Sequence, residues 1–226
     1  MTMFNALFYS HKIFFTTLTE ECVMNDIEEI IQTIYIGVVV ATFLYMTGRA
    51  RKAIELCKES LVLLNNKTLE EEKQFTKLLY EAIYKVLFAT YLHIRDDTNA
   101  IAYGRKLLAI EREGRETVQE EILCINLATI CKAENKYFET KELYERAMSI
   151  MNKTGNRKYE AHACAELGKV LYSLSDFAKS IRYVEKALAI AVETGDRNGE
   201  AACYGNLGAV FISLGDYVKA NKYRLQ

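Results

Sequence analysis

The stretch Leu167–Ser180 reads LGKVLYSLSDFAKS, and Leu207–Ala220 reads LGAVFISLGDYVKA. A chain that repeats a phrase at a 40-residue step is building a repeated structural unit. Other marks keep the same step. Glu120, Glu160 and Glu200 are evenly spaced, TGNR (Thr154–Arg157) returns as TGDR (Thr194–Arg197), and ERAMSI (Glu145–Ile150) returns as EKALAI (Glu185–Ile190). A unit of this length cannot bury an apolar face alone, so successive units must stack. Proline is absent from all 226 residues, and nothing interrupts a helical hydrogen-bond ladder.

Each unit reads as two helices. Cys164, Leu167, Gly168 and Leu171 recur at helical spacing and form one apolar stripe. SLSD then interrupts, and Asp176 is placed to cap the next helix. Ile181, Val184, Ala187, Leu188 and Ala191 share one face of that second helix, and Gly195 is placed for a left-handed cap. Gly168 and Gly208 lie mid-helix, where glycine costs roughly 1 kcal/mol. Its return at one site predicts that another helix passes close by.

This pattern resembles the tetratricopeptide repeat, in the 40-residue form seen in adaptors of the LGN–Pins type. That family alternates small and larger apolar residues at fixed sites. Here those sites hold Cys164, Leu167, Gly168, Leu171, Ser180, Val184 and Ala187. One unit earlier they hold Cys124, Leu127, Ala128, Cys131, Thr140, Tyr144 and Ala147, and in the last unit Tyr204, Leu207, Gly208, Phe211, Ala220 and Arg224. The family's common proline is missing, and the TGDR turn stands in its place. The resemblance implies an all-α fold, a right-handed α-α superhelix (TPR solenoid) of about five helix pairs. The units are expected near 34–64, 81–113, 121–155, 161–195 and 201–226, the last one truncated. The 81–113 unit departs most: Phe88 stands where a small residue is wanted and Gly104 where an apolar one is. Residues 1–25, aromatic through Phe4, Phe8, Phe14 and Phe15, match no unit and read as an irregular segment ahead of a 26–226 array. Because the chain stops at Gln226 inside a second helix, it reads as a piece of a longer array.

One feature competes with this reading. Ile30–Gly48 carries no charged residue and meets the length criterion for a membrane span, with Arg49, Arg51 and Lys52 behind it. The segment also leads by a short turn into a second helix in register, which favours the first helix of a repeat. The acidic run LEEEK (Leu69–Lys73) suits a helix start.

Catalytic chemistry is not indicated. The three histidines, His11, His93 and His162, are scattered, and no phosphate loop or nucleophile elbow occurs. His162 and Cys164 are two apart and point to different helix faces, which makes them poor joint metal ligands. No C-x-x-C pair occurs among the six cysteines, which read as small apolar residues in a reducing, cytoplasmic setting. No cofactor or metal is expected. The net charge of −1 leaves no excess of positive charge for a nucleic-acid backbone.

The resemblance implies instead a concave wall made by the first helix of each unit. The residues it turns inward include Asn126, Thr129, Lys132, His162, Glu166, Lys169, Tyr172 and Asn206. Asparagine both donates and accepts, so Asn126 and Asn206 can grip a peptide backbone. Glu166 would favour a basic partner residue, Lys132 and Lys169 acidic ones, and Tyr172 an apolar anchor. A carboxylate clamp of the kind that holds chaperone tails has only Lys85, Asn126 and Lys169 near its pattern. The function expected is a non-enzymatic scaffold or adaptor that holds a partner's peptide or helix; the alternative is a spacer arm within a larger protein.

Overall fold

The computed structural model describes residues 26–65, 73–112, 117–155 and 157–225. Every regular element among them is a helix: α1 (Asp26–Met46), α2 (Ala50–Leu64), α3 (Lys73–His93), α4 (Asp97–Arg112), α5 (Val118–Ala133), α6 (Tyr137–Thr154), α7 (Arg157–Ser173), α8 (Phe177–Thr194), α9 (Arg197–Ser213) and α10 (Tyr217–Arg224). The segment 1–25 and the acidic residues 70–72 lie outside the described residues. Two compact units emerge, one up to Tyr80 and one from Glu81, with the boundary inside α3.

In the first unit α1 packs on α2. Ile31, Ile34, Val38 and Ala41 of α1 are buried with Ala53, Cys57, Ser60 and Leu64 of α2. The helices approach closely where Gly37 faces Ser60, since a Cβ on Gly37 would stand 2.7 Å from the hydroxyl. Over Ile27–Met46, α1 is long and apolar enough to cross a membrane. Its pairing with α2 is what the repeat reading expects of a first helix.

The second unit stacks helix pairs. α5 packs on α6, α7 on α8 and α9 on α10, with α6 against α7 and α8 against α9. The residues that carried the resemblance form the interior. Cys164, Leu167, Leu171, Ser180, Val184 and Ala187 are all buried, as are Cys124, Leu127, Ala128, Cys131, Thr140, Tyr144 and Ala147. In the last pair Leu207, Phe211 and Ala220 are buried, while Arg224 is exposed. Buried hydroxyls find acceptors: Ser180 donates to the Gly168 carbonyl at 2.8 Å and Thr140 to that of Lys136 at 2.9 Å.

The turns inside the pairs share one device. After each first helix a residue takes a positive φ: Gly48, Arg95, Asn135, Ser175 and Gly215. The next residue's N–H then reaches back to the first helix, as Asp176 does to Leu171 and Asp216 to Phe211, both at 2.9 Å. This arrangement satisfies carbonyls that the helix end would orphan. Asp96, Asp176 and Asp216 cap the second helices, accepting from the backbone N–H groups of Asn99, Lys179 and Lys219. Gly155 and Gly195 close α6 and α8 in the left-handed conformation. The first helices begin ahead of the expected unit starts at 121 and 201, because Thr117 and Asp196 already cap them, accepting from Glu120 and Gly199.

The pair α3–α4, which fits the repeat pattern least, turns out to be size-compensated. A Cβ on Gly104 would stand 2.9 Å from the Phe88 ring and 2.4 Å from a Leu127 methyl. The large residue has moved to the first helix and the small one to the second. In α7–α8 the order is reversed: a Cβ on Gly168 would lie 2.5 Å from a Val184 methyl. Gly208 is also buried, but its nearest neighbour is the flexible Arg224 side chain at 3.3 Å.

The two repeated glycines should therefore respond oppositely to alanine. Gly168→Ala gains roughly 1 kcal/mol of helix propensity yet forces the stiff Val184 aside, and should lower stability by about 1–2 kcal/mol net. Gly208→Ala should be neutral or raise stability by about 0.5–1 kcal/mol, since Arg224 can swing away. Urea unfolding of both variants checks this; equal losses would mean that the α7–α8 crossing is no tighter than α9–α10.

Candidate functional site

The first helices α5, α7 and α9 lie side by side and form one wall of the second unit. Side chains join them: Lys132 of α5 meets Glu166 of α7, and the Tyr172 hydroxyl of α7 lies 2.9 Å from the Ser213 hydroxyl of α9. Each helix turns its apolar stripe toward its second helix. The residues that sequence reasoning assigned to the groove lie on these three helices.

Asn126, Thr129, His162, Lys169 and Tyr172 are exposed there, Lys132 and Asn206 are half-buried, and Glu166 is buried at 8%. The Thr129 hydroxyl donates to its own helix, at the Ile125 carbonyl, 2.9 Å away. The Asn206 side-chain N–H2 is shielded and finds no partner among the described residues. A donor left in that state costs free energy that an arriving acceptor recovers. His162 points outward while Cys164 lies in the core, so the two do not meet.

Glu166, Lys132 and Lys169 form a single cluster. Lys169 lies 2.6 Å from one carboxylate oxygen of Glu166, and Lys132 bonds the other. Burial opposes ionisation of Glu166, but the hydrogen bonds from the two ammonium groups outweigh it and hold the carboxyl below its usual range. Glu166 is thus occupied by lysines of its own chain and is not a free receptor for a basic residue. The cluster keeps two positive charges against one negative. Tyr172 is likewise engaged, its ring tilted against Phe177 at 5.8 Å, and it joins units as well as lining the wall.

One feature went unread in the sequence. Val118, Ile122, Ile125 and Asn126 of α5, with Tyr159 of α7 and the buried Glu121, line a cleft of ≈ 300 Å³. Ile122 and Tyr159 are more than half exposed. The signal was present, because Val118, Ile122 and Ile125 follow helical spacing on a stripe beside the buried one.

Two further acids are structural. Glu160 is buried between Lys186 at 2.7 Å and Arg157 at 3.0 Å, and Glu120 is buried against Arg146 at 2.8 Å. The same carboxylate meets the same cation site one unit apart. Glu200, a further unit on, is held by Arg197 at 3.5 Å and by the Tyr204 hydroxyl. The five described cysteines are buried and none is in a disulfide, and burial pushes Cys57 up to about 12 and Cys164 up to about 11. Thiols so shifted are poor nucleophiles at neutral pH.

Glu166 has a lower pKa folded than unfolded, so the unfolded chain takes up its proton first as pH falls. The cluster's contribution is complete above the ordinary carboxylate pKa of about 4.3 and is lost as pH drops through the folded value. Glu166→Gln should cost about 1 kcal/mol at pH 7, near the low end for a charged bond because the lysines are partly exposed. The gap in Tm between the two proteins should narrow as pH is lowered toward about 3. Thermal melts across that range decide it, and a gap independent of pH would show that the carboxylate is not held by its lysines.

The tetratricopeptide repeat family model matches residues 119–191 and 161–223. Among solved structures, BtubC (BKLC) from P. vanneervenii superposes with a TM-score of 0.59 at 23% identity, covering 88% of this chain and 79% of that one. A putative kinesin light chain from Podospora anserina, described as having nearly identical TPR-like repeats, gives 0.58 at 17% identity, with 84% and 90% covered. MamA gives 0.59 at 18% identity, with 85% and 88% covered. At these identities the likeness is one of fold. No curated protein matches the sequence. The capped helix pairs, the buried small-and-large pattern and the family match agree: among the described residues this is an all-α fold, that of tetratricopeptide repeat solenoids, and residues 119–223 match the tetratricopeptide repeat family model.

Proposed function

We propose that the chain is a non-enzymatic scaffold that holds a peptide segment of a partner protein along the wall made by α5, α7 and α9. The observation that carries this reading is the division of labour on those helices. Each buries one face completely, yet Asn126, Thr129, Lys169, Tyr172 and Ile212 stand exposed together on the other. Asn126 and Asn206 supply amides for a peptide backbone, and the unmet donor of Asn206 favours an acceptor there. Repeat stacks use extended surfaces of this kind for binding.

The reading extends to the setting of the chain. Five buried thiols support a reducing, cytoplasmic compartment. The close packing of Gly37 against Ser60 supports α1 as the first helix of a repeat in preference to a membrane span. The 40-residue step favours an adaptor of the LGN–Pins type.

Selection of random peptides on phage against the full chain tests the wall. Enriched peptides should bind the Asn126→Ala/Asn206→Ala double variant at least about tenfold more weakly, about 1.4 kcal/mol, with Tm little changed. Phe138→Ala, on an exposed site of α6, should bind as the parent does. Equal binding by the double variant would move the site off this wall.

A further inference from the structure

The cleft and the lysine cluster occupy the same wall of α5, and together they define what a bound segment must carry. Ile122, Ile125, Thr129 and Lys132 follow one another at helical spacing along that helix. The first two line the cleft, and the last reaches Glu166. The cleft walls of Val118, Ile122 and Ile125 are branched aliphatic side chains, closed on one side by the Tyr159 ring. Glu121 forms part of the lining but is buried and already engaged within the protein. A cleft of ≈ 300 Å³ so lined takes one large aliphatic side chain.

The cluster beyond it has unspent positive charge. Lys132 and Lys169 share the single carboxylate of Glu166, yet their side chains remain 34% and 46% exposed. An ammonium carries three donors, and each of these spends one on Glu166, so donors remain for an incoming anion. With Glu166 covered, the face presented to a ligand is net positive. Along α5, Ile125 and Lys132 are separated by a rise of about 10 Å, which an extended chain spans in about three residues.

We propose that this wall recognises a peptide segment with a large aliphatic residue in the Ile122–Ile125 cleft and, three to four residues away, an Asp or Glu side chain bridging Lys132 and Lys169. The inference rests on the peptide-scaffold reading and adds the chemistry of the segment. Neither half suffices alone. The cleft is shallow and would hold any apolar side chain weakly, while an exposed lysine pair attracts any anion; their fixed separation makes the pair of contacts selective.

The peptides enriched on the full chain are the test. They should carry an aliphatic residue followed or preceded, at three to four residues, by Asp or Glu. A representative synthesised with a carboxyl-terminal amide should keep its affinity, because a side-chain carboxylate and not a chain end is bound. Ile122→Asp should weaken it at least about tenfold, a change at a site more than half exposed. Lys169→Glu should weaken it similarly and should prefer the peptide whose acid is replaced by lysine. Lys169→Gln, which introduces no repulsion of Glu166, should also lose the preference for acid and gives the readout where the charge reversal unfolds the protein; an unchanged preference would overturn the proposal.

Enriched peptides that lack the spaced pair, yet still weaken in the Asn126→Ala/Asn206→Ala variant, would overturn this proposal and leave the scaffold reading standing. No enrichment at all would remove both. If size-exclusion chromatography shows the full chain as a dimer that Ile122→Asp converts to a monomer, a second copy fills the cleft and the proposal fails.

Discussion

The structure from Glu81 onward depends on how closely the two helices of each pair can approach at one crossing. At that crossing a small residue on one helix meets a larger one on the other. Gly168 faces Val184, and Phe88 faces Gly104 with the sizes exchanged. The sum of the two volumes matters more than which helix contributes which, because a packed interior tolerates neither a gap nor an overlap. Once the crossing is close, Ser180 can reach the Gly168 carbonyl, and the interior needs no water to satisfy it. The wall of first helices follows, since each can turn only its remaining face outward.

Charge then ties helices together, both within a pair and between pairs. The carboxylates of Glu120 and Glu160 are buried one repeat apart and meet cations from the second helix of their own pair, Arg146 and Lys186. Arg105 reaches forward from α4 to Glu139 of α6, at 2.7 Å. Burial works against the ionised form of Glu160, yet the bonds from Lys186 and Arg157 prevail and lower its pKa. Such pairs contribute modestly to stability where they are exposed. Where a carboxylate is buried, a missing cation would leave an uncompensated charge, so these contacts also favour correct register between the two helices of a pair. The Lys132–Glu166–Lys169 cluster, like Arg105–Glu139, links neighbouring pairs, but it faces the open wall and keeps charge to spare.

Much of the fold was legible in the residues. The left-handed Gly195, the Asp176 cap and the buried Cys164–Leu167–Leu171 stripe each depend on a few neighbouring residues, so spacing alone predicts them. The site was legible in part. Counting positions along the first helices found Asn126, Thr129 and Lys169 on the wall. The same counting treated Glu166 as a free carboxylate, because nothing local reveals that Lys132, on another helix, arrives at it. It also read Phe88 and Gly104 as two misfits, although each accommodates the other.

By itself the sequence determined that this chain is a stack of helical hairpins, how a second helix such as Phe177–Thr194 is capped at both ends, and which stripe is hidden. Those properties arise from hydrogen bonds and periodicity within about forty residues, and one unit carries them whole. Only the tertiary structure decided which side chains of different units share a space: the lysine pair around Glu166, the aliphatic cleft beside Tyr159, and the unmet amide of Asn206. Their charge and exposure depend on the distance between helices whose contacts are more than thirty residues apart along the chain. That distance is set by packing at the small-to-large crossings.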